Sequence, residues 1–301
     1  SGWIAPVHPR SIRLIARRSV AALLVILLSL AGAQAAEPTP PPKLPLWSDK
    51  APDGRGGLVG PENSGLTIHP AAEPNGMAVI ICPGGAYSGL VTGPEGHGIA
   101  RWLNRHGIVG AVLEYRLPAG RSEVPLLDAQ RALRLVRSRA SQWRVDPKRV
   151  GIIGFSAGGH LAATASTRFD AGDPSAADPV AREGCRPDFT LLVYPVISLG
   201  DLTHVGVRDN LLGRQPSAEQ ILRFSCERQV TRKTPPAFLA HAVDDRGVVI
   251  ENSRVYHAAL KAQGIPTKLL ELPDGGHGLN GYQGASWDTW QREAIEWLKQ
   301  R

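Results

Sequence analysis

The chain has 301 residues, 43% of them hydrophobic and 20% charged, with a formal net charge of +7. That balance supports a sizeable core, excludes a disordered composition and accommodates one full-sized catalytic domain. Four of the 34 basic residues fall within 1–35, which holds no Asp or Glu; the other 30 face 27 acidic residues, so a nucleic-acid partner is not expected.

In chain order, Arg10, Arg13, Arg17 and Arg18 precede an apolar run at 20–30, and small residues follow up to Ala35. A basic region, a short apolar region and a small-x-small site predict a secretory signal over 1–35 and a periplasmic or secreted product. The run is shorter than the ~20 residues that span a bilayer, so membrane contact is expected only through this signal; an uncleaved anchor is the alternative. Arg17-Arg18 leaves twin-arginine export open beside the general route. Residues 36–75, with Pro38, Pro40, Pro41, Pro42 and Pro45, read as an extended Pro/Gly-rich lead-in.

The regular pattern occupies 76–301, the predicted catalytic domain. Strands are predicted at 77–82, 108–113, 150–154, 190–194, 236–241 and 267–272, and helices at 99–105, 126–140, 157–167, 251–263 and 287–299. Alternation of this kind predicts an α/β fold with a mostly parallel sheet covered on both faces, and chemistry at the carboxyl ends of its strands. The stretch 196–234 is less regular, with a short helix near 217–224; it reads as either a lid or a static wall. Cys82 reads as a buried thiol, and Cys185 and Cys226, both in loop-rich sequence, are candidates to pair in an exported protein.

The strongest local signal is a hydrophobic strand running into Gly154-Phe155-Ser156-Ala157-Gly158-Gly159 and then a helix. A serine on a sharp strand-to-helix turn projects its hydroxyl above the sheet, and glycines at 154 and 158 let the backbone pass closely. Ser156 is therefore the expected nucleophile. It needs a base, and His277, flanked by Gly276 and Gly278 after the strand at 267–272, is placed to supply it. Asp244 and Asp245 both follow the strand at 236–241; Asp245 is favoured as the acid, with Asp244 a loop-capping carboxylate. Oxyanion donors are expected from the Ala157 amide and from Gly85 and Ala86, in the Pro83-Gly84-Gly85-Ala86-Tyr87 turn after the first predicted strand.

Tyr87 is a candidate pocket-rim residue, and Glu95 a candidate support for the oxyanion turn. Trp287, Trp290 and Trp297 share a helical stripe that reads as core, with Trp287, nearest the His277 loop, also a candidate for the site rim. No Walker-type or zinc-binding motif is present, and the mechanism requires no cofactor and no metal.

These stretches, together with Glu114-Tyr115-Arg116-Leu117 and Asp146-Pro147-Lys148-Arg149-Val150, resemble the bacterial acetylesterases and acetylxylan or feruloyl esterases of the α/β-hydrolase superfamily. The resemblance spans about residues 76–299. It implies an α/β-hydrolase fold, a Ser156–His277–Asp245 triad, and removal of acetyl groups from small acylated sugars or oligosaccharides such as acetylated xylan fragments. Ala86 stands where that family usually carries a third glycine. Competing readings are a feruloyl esterase, a serine peptidase acting on short peptides, and a non-catalytic binding protein that keeps the fold.

Overall fold

The computed structural model describes Gly2, residues 41–60, Glu62 and residues 64–301. The expected secretory signal, Gly2 aside, lies outside the described residues. The strands are β1 (Lys43–Pro45), β2 (Ala51–Pro52), β3 (Leu58–Val59), β4 (Gly65–His69), β5 (Ala78–Cys82), β6 (Val109–Glu114), β7 (Val150–Phe155), β8 (Thr190–Val193), β9 (Ala237–Ala242) and β10 (Thr267–Leu272). Eight of them form one sheet in the order β1-β4-β6-β5-β7-β8-β9-β10, while β2 and β3 pair as a separate ribbon. β1 and β4 run antiparallel and the pairs from β6 to β10 are parallel.

The helices are α1 (Gly98–Asn104), α2 (Val124–Ser138), α3 (Ser156–Thr167), α4 (Val205–Leu212), α5 (Ala218–Phe224), α6 (Glu251–Ala262), the single turn α7 (Leu279–Tyr282) and α8 (Gly284–Leu298). Strands β5, β7, β8 and β9 are buried along their whole length, as parallel strands covered on both sides must be, and β5, β7 and β8 carry the Val/Ile/Leu-rich sequence this requires. One face packs on α2, α3 and α6 through Leu126, Leu133, Leu161, Tyr256 and Leu260. The other packs on α1 and α8 through Trp102, Trp290 and Trp297. The tryptophan stripe of the last helix is therefore core.

Three findings differ from the expectations. The stretch 36–75 contributes β1 and β4 to the main sheet, so the sheet begins ahead of residue 76. Every residue of β4 is buried, but the strand lies in sequence that reads as Pro/Gly-rich lead-in. Second, 196–234 holds α4 as well as the expected short helix. A Gly206 in the sequence masks α4, and the unusual N-cap of His204, whose side chain accepts from the Val207 amide, starts it. Third, Cys185 and Cys226 do not pair: both are free and buried, Cys185 beside Asp170 and Cys226 beside Thr164 and His160.

Candidate active site

Ser156 sits at the junction of β7 and α3 with φ +53°, the sharp turn expected of a serine raised above the sheet. A Cβ at Gly154 would strike the Gly158 carbonyl, and one at Gly158 would strike the carbonyls of Cys82 and Pro83. These close approaches seat the start of α3 against the end of β5.

His277 occupies the glycine-rich turn between β10 and α7. Its Nε2 lies 2.9 Å from Ser156 Oγ and its Nδ1 2.8 Å from Asp245 Oδ2. Asp245, whose side chain is fully buried, follows β9 and accepts the Gly247 and Val248 amides on Oδ1 at 2.8 and 2.9 Å. Burial pushes its pKa up, but hydrogen bonds from His241, His277 and the Val248 amide outweigh that and hold the carboxyl well below the usual range. An ionised Asp245 only accepts, so Nδ1 of His277 carries the proton and Nε2 presents its lone pair to the serine hydroxyl.

The two neighbouring aspartates have different surroundings. Asp244 turns to the other side and accepts the Gly276 amide at 2.9 Å, bracing the turn that carries His277.

A residue outside the expected triad also joins the site. His241, the fifth residue of β9, places Nε2 2.8 Å from the Val248 carbonyl and 3.2 Å from Asp245 Oδ2, while Nδ1 meets Ser253 Oγ at 2.8 Å. A carbonyl only accepts, so Nε2 carries the proton and Ser253 donates to Nδ1. Tyr194 is likewise added: its ring centroid lies 4.9 Å from that of His277. No motif marks either residue; each is found only by its neighbours.

The turn after β5 carries Gly85 and Ala86, whose amides are the oxyanion donors expected from the sequence. Gly85, Ala86 and Tyr87 all have positive φ, at 130°, 54° and 58°. The turn's internal bonds use the amides of Ser88, Gly89 and Val91, which leaves those of Gly85 and Ala86 outside them. The Ala157 amide, at the first turn of α3, has no intrahelical partner by helix geometry. A Cβ at Gly84 would lie 3.0 Å from Ser156 Cβ, so this turn and the serine are in direct apposition.

Glu95 is buried beneath the turn. It accepts the Gly84 amide at 2.7 Å and the Tyr194 hydroxyl at 3.0 Å. Burial raises its pKa, opposed in part by these two bonds and the nearby His277. Tyr87, expected as a candidate rim residue, is instead buried, and its hydroxyl meets His160 Nδ1 at 2.9 Å. Trp287 is also buried, edge-on to Tyr282 and Trp290 and tilted against Phe155, rather than set at the rim. Tyr115 donates to the Pro83 carbonyl at 2.7 Å, and Arg116 is locked to Asp128. Beside them opens a cavity of about 480 Å³ lined in part by Leu90, Leu117 and Arg121.

Residues 67–260 match the BD-FAE family. The chain is 35% identical over 236 residues to an acetylxylan esterase of Xylanibacter ruminicola, covering 75% of this chain and 46% of that protein. It is 36% identical over 208 residues to endo-1,4-beta-xylanase B of Butyrivibrio fibrisolvens, covering 67% of this chain and 32% of that one. It thus spans less than half the length of these curated relatives. The crystal structure of an acetyl ester-xyloside bifunctional hydrolase from Caldicellulosiruptor lactoaceticus superposes with a TM-score of 0.80 at 37% identity, covering 88% of this chain and 98% of that one. With this sheet order, this strand–serine–helix junction and this similarity, the chain is an α/β-hydrolase-fold protein that belongs to the BD-FAE family.

Proposed function

We propose that the protein is a serine carboxylic ester hydrolase that removes acetyl groups from carbohydrate esters such as acetylated xylan fragments. The observation that carries this reading is the unbroken chain from Ser156 Oγ through His277 to Asp245, at 2.9 and 2.8 Å. Its outer end is open, because the His277 side chain remains 35% exposed while Asp245 is sealed.

In this reading His277 Nε2 takes the Ser156 proton as Oγ attacks the ester carbonyl. The oxyanion is held by the amides of Gly85, Ala86 and Ala157. As the carbonyl re-forms, the ester C–O bond breaks and His277 returns the proton to the departing sugar hydroxyl. Water, deprotonated by the same imidazole, then attacks the acetyl-serine and releases acetate. Asp245 stays ionised and balances the imidazolium. The acetylated-sugar assignment draws on the names of the similar proteins, and the basic-then-apolar segment within 1–35 supports export.

The deciding experiment compares release of acetate from acetylated xylooligosaccharides with hydrolysis of methyl ferulate, in the native protein and in Ser156→Ala. Acetate release that Ser156→Ala abolishes is the expected result. Faster turnover of the ferulate would replace acetyl with feruloyl specificity. Peptide cleavage without ester cleavage would point to a peptidase. Undiminished turnover in Ser156→Ala would end the reading.

A further inference from the structure

Two helices of the segment 196–234 reach the oxyanion turn and its support. On α4, Asn210 Nδ2 donates to the Ala86 carbonyl at 2.8 Å. At the end of α5, the Phe224 carbonyl accepts from His160 Nε2 at 2.7 Å, and Nδ1 of the same ring meets the Tyr87 hydroxyl at 2.9 Å. The carbonyl can only accept, so His160 carries its proton on Nε2 and Tyr87 donates to Nδ1. The direction of every bond in the Tyr87–His160–Phe224 bridge is thereby determined.

Ala86 and Tyr87 need such restraint. Both adopt left-handed backbone, at φ 54° and 58°, which non-glycine residues enter against a steric penalty. With the Ala86 carbonyl tied to α4 and the Tyr87 ring tied to α3 and α5, neither residue relaxes without breaking a buried or half-buried bond. The anchors are themselves fixed. Val207, Leu211, Leu212 and Phe224 are buried in the core, and the Asn210 carbonyl accepts the Gly120 amide at 3.0 Å.

We infer that 196–234 is a fixed brace rather than a lid, and that Asn210 and His160 are positioning residues that hold Ala86 and Tyr87 left-handed so that the Gly85 and Ala86 amides face the reacting carbonyl. This inference rests on the esterase reading above. Asn210, whose Nδ2 is held by the Ala86 carbonyl, acts through Ala86. Its donor therefore affects the tetrahedral oxyanion more than the bound ester.

The experiment compares Asn210→Ala and Asn210→Asp with the native full chain, using 4-nitrophenyl acetate for kcat and KM and phenylboronic acid as a tetrahedral mimic. Asn210→Ala removes the donor; Asn210→Asp keeps the volume but turns an acceptor toward the Ala86 carbonyl. The expected result is a fall in kcat of about tenfold for Ala, below the full loss of a direct oxyanion donor, and about a hundredfold for Asp, at the low end of that loss. KM stays within about threefold, as for a contact felt only in the transition state. Boronic acid affinity falls in parallel with kcat, and both variants retain the native circular dichroism. Equal kcat in all three proteins, an Asp variant better than the Ala variant, or lost kcat with unchanged boronic acid affinity would each overturn the brace. Should Asn210→Asp fail to fold, Asn210→Ala decides alone by the split between kcat and KM. Ser156→Ala is run alongside: if it retains turnover the esterase reading fails, whereas an inactive Ser156→Ala beside a fully active Asn210→Ala sinks only the brace.

Discussion

His241 Nε2 stands 3.2 Å from Asp245 Oδ2, with neither side chain exposed to solvent, so the oxygen that meets the His277 ring also faces a second imidazole. The same Nε2 reaches the Val248 carbonyl at 2.8 Å, and the Val248 amide donates back to Asp245 Oδ1 at 2.9 Å. His241 thus closes the loop that wraps the carboxylate. His241→Ala leaves that carbonyl and one carboxylate oxygen short of a donor inside the fold, at a cost of about 1–3 kcal/mol in stability. Denaturant titration and kcat/KM on 4-nitrophenyl acetate should both report a loss, the rate falling by about tenfold as Asp245 loosens. A variant as stable and active as the native protein would show that this contact is incidental.

The two adjacent aspartates should separate sharply in kinetics. Asp245→Asn removes the charge that fixes the His277 tautomer, and kcat should fall by about 10⁴ as in other triads of this type. Asp244→Asn still offers an oxygen to the Gly276 amide and should stay within about tenfold of the native rate, since the turn keeps its bond. Equal losses in the two would contradict the geometry.

Glu95 is a buried carboxyl whose pKa burial raises, so its neutral form is favoured more in the folded protein than in the unfolded chain. The stability this group contributes is complete below its unfolded pKa and is lost as pH rises through the folded value. Glu95→Gln keeps an acceptor for the Gly84 amide without the charge. Its melting temperature relative to the native protein should therefore improve as pH goes from about 4 to about 8. A difference that stays constant with pH would show that Glu95 carries no such penalty.

His160 follows the opposite rule. Full burial lowers its pKa to about 4, so it is neutral while it bridges Tyr87 and the Phe224 carbonyl. Between about pH 6.5 and about pH 4 the unfolded chain takes up this proton and the folded protein does not, so stability falls as pH drops through that window. The full difference is of order 3 kcal/mol. His160→Gln offers a donor and an acceptor without titrating, and should flatten this part of the thermal stability profile. Identical acid sensitivity in the variant would place the effect elsewhere.

At Gly158 the backbone of Cys82 and Pro83 occupies the space of any side chain, and backbone cannot step aside. Gly158→Ala should cost about 3 kcal/mol, the upper range for overpacking, and separate the oxyanion turn from Ser156. Soluble expression and melting temperature would test this; a variant of native stability would mean that the two segments yield easily.

Apart from α4, the main strand and helix pattern from 76 onward was legible because it comes from local periodicity, and the strand–serine–helix stretch was legible because its steric demand falls on adjacent residues. Ser156 and His277 followed from chain order and flanking glycines, whereas Asp244 and Asp245 both fitted the chain order and the sequence separated them only slightly. What the sequence could not reveal is what depends on contacts between distant segments. β4 does not announce itself within a stretch that reads as Pro/Gly-rich lead-in, yet it pairs with β6 over five residues. His241 reads as one more strand residue until Asp245 folds back toward it. Tyr87 looks like a rim residue until His160, 73 positions later, claims its hydroxyl. Composition and spacing act through neighbours in the chain, whereas the direction of a buried hydrogen bond depends on which donors and acceptors the tertiary packing brings within reach.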